Sequence, residues 1–449
     1  MKSVSLKQAS LWAGGELKAS LNENKTVNNV VIDSREAQKN SLFFCIKGKR
    51  TDGHFFIDEV KKKGGYTAGE KRGCDIQVES SVKGLVSLAQ NYRNTLSPEI
   101  IIGVTGSNGK TTVSRMAAQI IKGKMKASST KRSFNNQIGL PLSVLEMSED
   151  TQAGVFEMGA NHRGEIKYLC GIARPHTGVI TSVTEAHIGE FETVDNILNT
   201  KFELADYLEA KADLVYNYDQ EIVRGKAAEY RHLNRIGFGF SKGADLRIEI
   251  KDQMISETLF SINGINFRLK IPGLFNVYNA AAASASALSA GLNLDYSAER
   301  IGGFQPPPHR FEFKRVGGID IIDDTYNSNP SAVKKVFSDL LKICPEKNII
   351  AVLGQMRELG RYSHKMHRDA GAFLAGLKNI KYILAGGKYS SSLLSGAAKK
   401  GFPEKRMFEY DNNREAASII KKINDEDSIA VIKASRRERL EEVMEYLKE

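Results

Sequence analysis

The ten residues Gly103-Val104-Thr105-Gly106-Ser107-Asn108-Gly109-Lys110-Thr111-Thr112 set glycines, a lysine and paired threonines between an apolar run and a helix-patterned run. Glycines let a backbone wrap closely around phosphate, and amides at a helix start donate to an anion. Lys110 is placed to neutralise β- and γ-phosphates, and the Thr111 hydroxyl to meet Mg²⁺. One position departs from the general phosphate loop: its first glycine falls at 104, where this chain has valine. The candidate nucleotide contacts are Gly106, Ser107, Asn108, Gly109, Lys110, Thr111 and Thr112. A lysine and a threonine have little packing reason to occupy such a turn.

A phosphate loop alone serves an ATPase, a kinase or a ligase. Polar residues downstream add candidates: Glu157 at the end of the strand-like run GVFEM, Asn161, His162 and Glu165 in ANHRGE, His187 after VITSV, and Lys201 on a predicted helix. Each has a plainer reading: Glu157 as a helix cap, His187 as a hydrogen-bonded structural histidine, Lys201 as a solvated lysine. Composition and periodicity do not join them.

These residues need a sheet to position them. From Glu99 the chain alternates strand-like runs (EIIIGVTG, AGVFEMG, HTGVITSV, ADLVYN) with helix-length segments such as 194–210, which predicts a largely parallel sheet with helices on both faces. The alanine-rich stretch 279–290 reads as a closely packing helix. Prolines 306, 307 and 308 read as a stiff linker. After them IDIIDDTYN, NIIAVLG, IKYILAGG and DSIAVIKAS read as four strands, with Asp324, Gly354, Gly386 and Ser435 on the rim beyond their carboxyl ends. Before residue 98 a mixed segment of short β-like runs leads into a helix over 83–96. The expected division is 1–97, 98–305 and 306–449, an α/β chain of three domains.

The net charge of +11 is spread out, in short runs such as Lys61-Lys62-Lys63, Lys334-Lys335 and Lys399-Lys400, with no aromatic-interleaved basic patch, which argues against nucleic acid. It suits a substrate carrying phosphates and carboxylates. No apolar stretch is long enough to span a bilayer and the first residues lack a signal-peptide centre, so a cytoplasmic protein without membrane insertion is expected. Cys45, Cys74, Cys170 and Cys344 fit neither a disulfide framework nor a zinc ribbon, and read as buried free thiols.

The chain resembles the Mur ligase family, and within it the MurF type. The marks are DSREAQKNSLFFCIKGKRTDGHFFI (33–57), GVTGSNGKTT (103–112), FNNQIGLPLSVL (134–145), EMGANHRGEI (157–166), TEAHIGEF (184–191), PGLFNVYNAAAA (272–283), IIDDTYNSNP (321–330) and LGQMRELG (353–360). The resemblance implies three α/β domains: one that binds a UDP-muramoyl substrate, a central P-loop sheet for ATP, and a Rossmann-like C-terminal domain. It implies ATP-dependent joining of D-alanyl-D-alanine to UDP-N-acetylmuramoyl-tripeptide through an acyl phosphate. A monomer suffices for this reaction.

By matching positions, the resemblance implies two Mg²⁺ sites held by Thr111, Glu157, His187 and Lys201, the lysine as a carbamate derived from CO₂. It places Asn276 and Asn279 near the adenine, Asp324 on the ribose, and Arg310, Asn327 and Asn329 along the same cleft, with Glu358 and His367 around the nucleotide. Ser34, Arg35 and the segment 47–54, with Lys47 and His54, become candidates for the UDP end. Asn135, Asn136, Asn161 and His162 face the muramoyl-peptide, and Lys433, Ser435 and Arg436 the incoming amino substrate. Departures from the pattern are Phe275 in place of a histidine, Lys131-Arg132-Ser133 before the paired asparagines, His309, and Ala434 in place of a glycine.

Overall fold

The run Ile100–Thr105 is apolar and buried along its whole length, as befits a strand covered on both faces. In the computed structural model, which describes every residue except Arg50, Arg132 and His187, this strand sits inside a nine-stranded sheet. It pairs in parallel with Ala153–Glu157 on one side and Thr177–Ile180 on the other. Register aligns Glu157 with Val104, and Ile180 with Thr105, so the residues after all three strands emerge on one rim.

The sheet continues in parallel through Asp213–Asn217, Asn234–Gly239 and Leu246–Gln253. It ends in two antiparallel strands, Thr258–Ile262 and Ile265–Leu269. Asn263 and Gly264, both at positive φ, turn the last hairpin. This extension escaped the sequence reading, although an Asn-Gly pair between apolar alternations is a hairpin signal.

Helix Lys110–Lys122 follows the phosphate loop and packs against helix Leu274–Ser289. Six alanines of the second helix, Ala280 to Ala283, Ala285 and Ala287, are fully buried, and their small side chains let the helices approach closely. The helix starts ahead of the expected residue 279 and thereby takes Asn276 into its first turn. Helix Val194–Tyr207 is capped by Thr193, whose side chain accepts from the Asn196 amide, and carries Lys201 on its buried face.

The four strands read after the prolines form a parallel set ordered Ile319–Asp324, Ser428–Lys433, Asn348–Leu353, Ile380–Gly386, extended by Met407–Tyr410. Strand Glu312–Val316 adds an antiparallel edge. Asp324 and Leu353 both register with Lys433, which brings these strand ends together on the rim.

The N-terminal part holds a five-stranded sheet in which Asn29–Val31, Ser41–Phe44, Tyr66–Gly69 and Ile76–Gln77 run parallel and Glu16–Leu17 closes the edge antiparallel. Helix Ser81–Asn94 packs against helix Leu6–Ala13 beside it. No helix among the described residues is long and apolar enough to cross a membrane.

Candidate active site

A cavity of about 450 Å³ opens where the rims of the central and C-terminal sheets face one another. Its floor is the phosphate loop. Gly106 and Gly109 hold φ values of 142° and 87°, and a Cβ on them would come within 2.1 Å of Thr181 Oγ1 and 2.4 Å of Asn279 Oδ1. Glycine is thus required at both for two reasons, backbone conformation and space. The loop is strapped to the end of the neighbouring strand: the Ser107 amide donates to Ser182 O at 2.7 Å, and Thr181 Oγ1 donates to Asn108 O at 2.6 Å.

Lys110 Nζ lies over this loop, donating to Gly106 O at 2.7 Å. Burial pushes its ammonium below the ordinary lysine range; the Glu157 charge works against that shift and the Arg310 charge adds to it. Thr111 Oγ1 accepts from Arg310 Nη2 at 3.2 Å, and the guanidinium lies 3.9 Å from the Tyr326 ring centroid. Arg310 is flanked by His309 and Phe311, both at positive φ, so the connection between the two sheets turns sharply just where it delivers the arginine.

Glu157 is 2 % exposed. Its Oε1 accepts from Asn135 Nδ2 at 2.7 Å, while its Oε2 is buried without a hydrogen-bond partner. This is not a helix cap. Lys201, also 2 % exposed, is not the solvated lysine of the plainer reading. Its nearest polar partner is Ala160 O at 3.5 Å, and Phe191 lies 5.5 Å away. Burial first, and the Lys110 charge second, lower its ammonium to about 7. His187 lies outside the described residues.

The opposite wall comes from the C-terminal sheet. Asp324 forms an ion pair with Lys433, whose Nζ also donates to Asn327 O at 2.9 Å. Asn329 Nδ2 donates to Asn108 Oδ1 at 2.9 Å, joining this wall to the phosphate loop. Asn276 and Asn279 close a third side: Asn276 Nδ2 donates to Pro272 O at 2.7 Å, and Asn279 Nδ2 donates to Asn276 Oδ1 at 3.3 Å. Phe275 lines the cavity and meets Phe311 edge-on at 5.1 Å.

The structure thus gathers Ser107 to Thr112, Asn135, Glu157, Asn276, Asn279, Arg310, Asp324, Asn327, Asn329 and Lys433 around one cavity. Other expected residues stand elsewhere. Asn136 accepts the Ile138 and Gly139 amides at the start of a helix. Asn161 and His162 are exposed, and their backbone amides donate to Glu165. Ser435 Oγ accepts the Arg357 amide, and Arg436 is exposed and paired with Glu441. His367 is buried with its Nε2 accepting the Met356 amide at 3.0 Å, which fixes the loop after Leu353 and leaves no ring nitrogen for a nucleotide. Glu358 stands at positive φ, and its carbonyl accepts the Gly189 amide from the central part.

In the N-terminal part Arg35 and Lys47 are exposed, Ser34 Oγ donates to Glu59 at 3.3 Å, and the His54 ring turns inward toward Asp52. Sequence reasoning passed over several cavity residues, among them Asp219, Tyr278 and Lys335. Tyr278 Oη donates to Asp219 at 2.6 Å. Asp219 follows the strand Asp213–Asn217, so the rule that active loops lie beyond strand ends would have found it.

Three family patterns match in chain order: "Mur ligase family, catalytic domain" over residues 26–80, "Mur ligase middle domain" over 104–287, and "Mur ligase, glutamate ligase domain" over 309–436. The chain is 30 % identical over 436 residues to the UDP-N-acetylmuramoyl-tripeptide–D-alanyl-D-alanine ligase of Bacillus subtilis, covering 95 % of this chain and 94 % of that one. A crystal structure of MurF from Acinetobacter baumannii superposes with a TM-score of 0.87 at 26 % identity, covering 100 % of both chains. MurF ligase from Thermotoga maritima in complex with ADP gives a TM-score of 0.82 at 28 % identity, covering 94 % of this chain and 97 % of that one. With the fold, the phosphate loop and this full-length similarity agreeing, the chain belongs to the Mur ligase family, in its MurF-type branch.

Proposed function

We propose that this chain is the ATP-dependent ligase that joins D-alanyl-D-alanine to UDP-N-acetylmuramoyl-tripeptide, giving the pentapeptide, ADP and phosphate. The observation that carries the reading is the cavity itself: a phosphate loop with Lys110 and a buried carboxylate on one side, and an acid–lysine pair from a second sheet on the other. Residues 1–97 hold the UDP end of the substrate, 98–305 the ATP phosphates, and 306–449 close over the reacting groups. Arg35 and Lys47 are the exposed cations suited to the diphosphate.

The substrate carboxylate is already a nucleophile. Its oxygen attacks the γ-phosphorus of ATP, and the bond to the bridging oxygen of ADP breaks. Lys110 and the loop amides hold the phosphates in line and offset their spread-out charge. The free amine of D-alanyl-D-alanine then attacks the acyl carbon, phosphate leaves with the acyl oxygen, and the amine gives up a proton. Asn276 and Asn279 border the base end of the nucleotide, Asp324 its ribose, and Arg310, Asn327 and Asn329 complete that wall. Asn135, with Asn136, Asn161 and His162 beyond it, belongs to the muramoyl-peptide side, and Lys433, Ser435 and Arg436 to the amino substrate.

The donor set fits Mg²⁺, since Glu157 Oε2 is a buried carboxylate oxygen without a partner. Thr111, Glu157, His187 and a carbamate on Lys201 would hold two such ions, which supply positive charge to the phosphates when bound. Lys201 suits carbamylation because burial favours its neutral amine, the form that captures CO₂.

The test is ATP-dependent phosphate release with UDP-muramoyl-tripeptides bearing lysine or diaminopimelate, each with D-alanyl-D-alanine, D-glutamate, L-alanine or a diamino acid. Turnover requiring D-alanyl-D-alanine is expected, and Lys110→Ala abolishes it without unfolding the chain. Preference for a different amino substrate, or no turnover with any, overturns the reading.

A further inference from the structure

Three side chains far apart in sequence meet inside the N-terminal part: Cys45, His54 and Cys74, all buried, with their ligand atoms within 4.8 Å of one another. We propose that they form a structural zinc site, distinct in place and chemistry from the magnesium chemistry of the nucleotide cavity.

Two separations in and beside the cluster match those around a tetrahedral zinc ion. With Zn–S about 2.3 Å and Zn–N or Zn–O about 2.0–2.1 Å, tetrahedral angles place two sulfurs about 3.8 Å apart, and a nitrogen and an oxygen about 3.4 Å apart. Cys45 Sγ and Cys74 Sγ stand 3.9 Å apart. His54 Nε2 and Glu70 Oε2 stand 3.4 Å apart. A disulfide needs its sulfurs at about 2.0 Å, so these thiols are spaced for a shared ion and not for a bond.

His54 supplies the independent observation. Its side chain is 4 % exposed, and its Nε2 is a buried nitrogen with no hydrogen-bond partner. Such a group is costly to bury unless something binds it. The other ring nitrogen, Nδ1, is 2.6 Å from Asp52 Oδ1. A carboxylate behind the far nitrogen is the arrangement that fixes the tautomer of a metal-binding histidine and points Nε2 at the ion. Lys71, 2.9 Å from the second Asp52 oxygen, balances that carboxylate. Glu70 stands beside the three ligands: its Oε1 accepts the Ser81 amide at 2.7 Å, and its Oε2 lies 3.4 Å from His54 Nε2.

The backbone makes room for this gathering. A Cβ on Gly69 would lie 2.5 Å from His54 Nε2 and 2.9 Å from Cys74 Sγ, so only glycine lets the strand end pass so close to the ligand atoms. A soft thiolate pair with an imidazole nitrogen selects zinc over magnesium or calcium. On binding, both thiols release their protons, and the two thiolate charges cancel the charge of the ion. The ion would tie together the end of strand Ser41–Phe44, the short helical turn Gly53–Phe56 and the connection between strands Tyr66–Gly69 and Ile76–Gln77.

The experiment uses the untagged full chain, reduced and then loaded with zinc or cobalt. One tightly held zinc per chain by elemental analysis, and for cobalt a thiolate charge-transfer band with the intense visible bands of a tetrahedral ion, are expected. Cys45→Ser and Cys74→Ser each lose the band, Cys170→Ser keeps it, and Asp52→Asn binds roughly 10- to 100-fold more weakly. Cobalt held without a thiolate band in the wild-type chain, or uptake unchanged in both cysteine variants, overturns the proposal. So does a Cys45–Cys74 disulfide that re-forms in the presence of zinc. Where a variant fails to fold, the wild-type spectrum decides alone.

Discussion

Lys201 is the residue at which environment most changes chemistry. A lysine ordinarily stays protonated well above neutrality; here burial brings it to about 7, so much of it is a neutral amine near physiological pH. Lys201→Ala is expected to remove most ligase activity, with partial recovery on adding acetate or another short-chain acid, read as phosphate release. With intact Lys201 and limiting bicarbonate, activity should fall as pH drops through about 7, because protonation removes the amine that carbamylates, and stripping CO₂ should lower it at every pH. Activity indifferent to both CO₂ and the substitution would sink the carbamate. At this scale the phosphate loop was plain in the sequence because its residues are contiguous. Lys201 was not: nothing in a helix-patterned segment says which lysine is buried, and only the resemblance singled it out. The Cys45, His54 and Cys74 cluster was invisible for a similar reason, since its members come from three separate segments.

At the level of elements, helix Pro330–Ile343 shows how a cap can also be a contact. Asn329 Oδ1 accepts the Ala332 amide at 2.8 Å, while Nδ2 of the same side chain donates to Asn108 in the phosphate loop. The two roles separate by substitution. Asn329→Ala should destabilise the chain by about 1 kcal/mol through the lost cap. Asn329→Ser keeps a capping oxygen but is too short to reach Asn108, so stability should hold while the KM for ATP rises. Equal thermal stability of the wild type and the alanine variant would refute the capping half of the argument. The central strands of both large sheets were legible because each is an apolar run ending in glycine or a polar turn, whereas Ala127–Ser129, Asn234–Gly239, Glu312–Val316 and Met407–Tyr410 carry no such run and were missed. The antiparallel extension from Leu246 to Leu269 was not, because strands Leu246–Gln253 and Ile265–Leu269 are half-exposed and alternate, a weaker signal; the Asn263-Gly264 turn was the clue available.

For the whole molecule, the decisive arrangement is that one cavity has walls from two sheets. A non-hydrolysable ATP analogue should slow amide exchange in 105–112 and in 324–333 together, measured by hydrogen–deuterium exchange; protection confined to the first segment would mean that the C-terminal sheet does not share the nucleotide. The division into three α/β parts was readable from alternating patterns and the prolines, but how the parts face one another was not, since that depends on contacts such as Arg310 to Thr111. The sharp turn that delivers Arg310, with backbone at positive φ on either side, has a consequence for coupling. Because the same connection both joins the sheets and contacts the phosphate loop, a chain loosened there would still bring ATP and carboxylate together but would leave the activated acyl group open to water. The first symptom of damage at this joint is therefore leakage, ATP consumed without a peptide made, before any slowing of ligation itself.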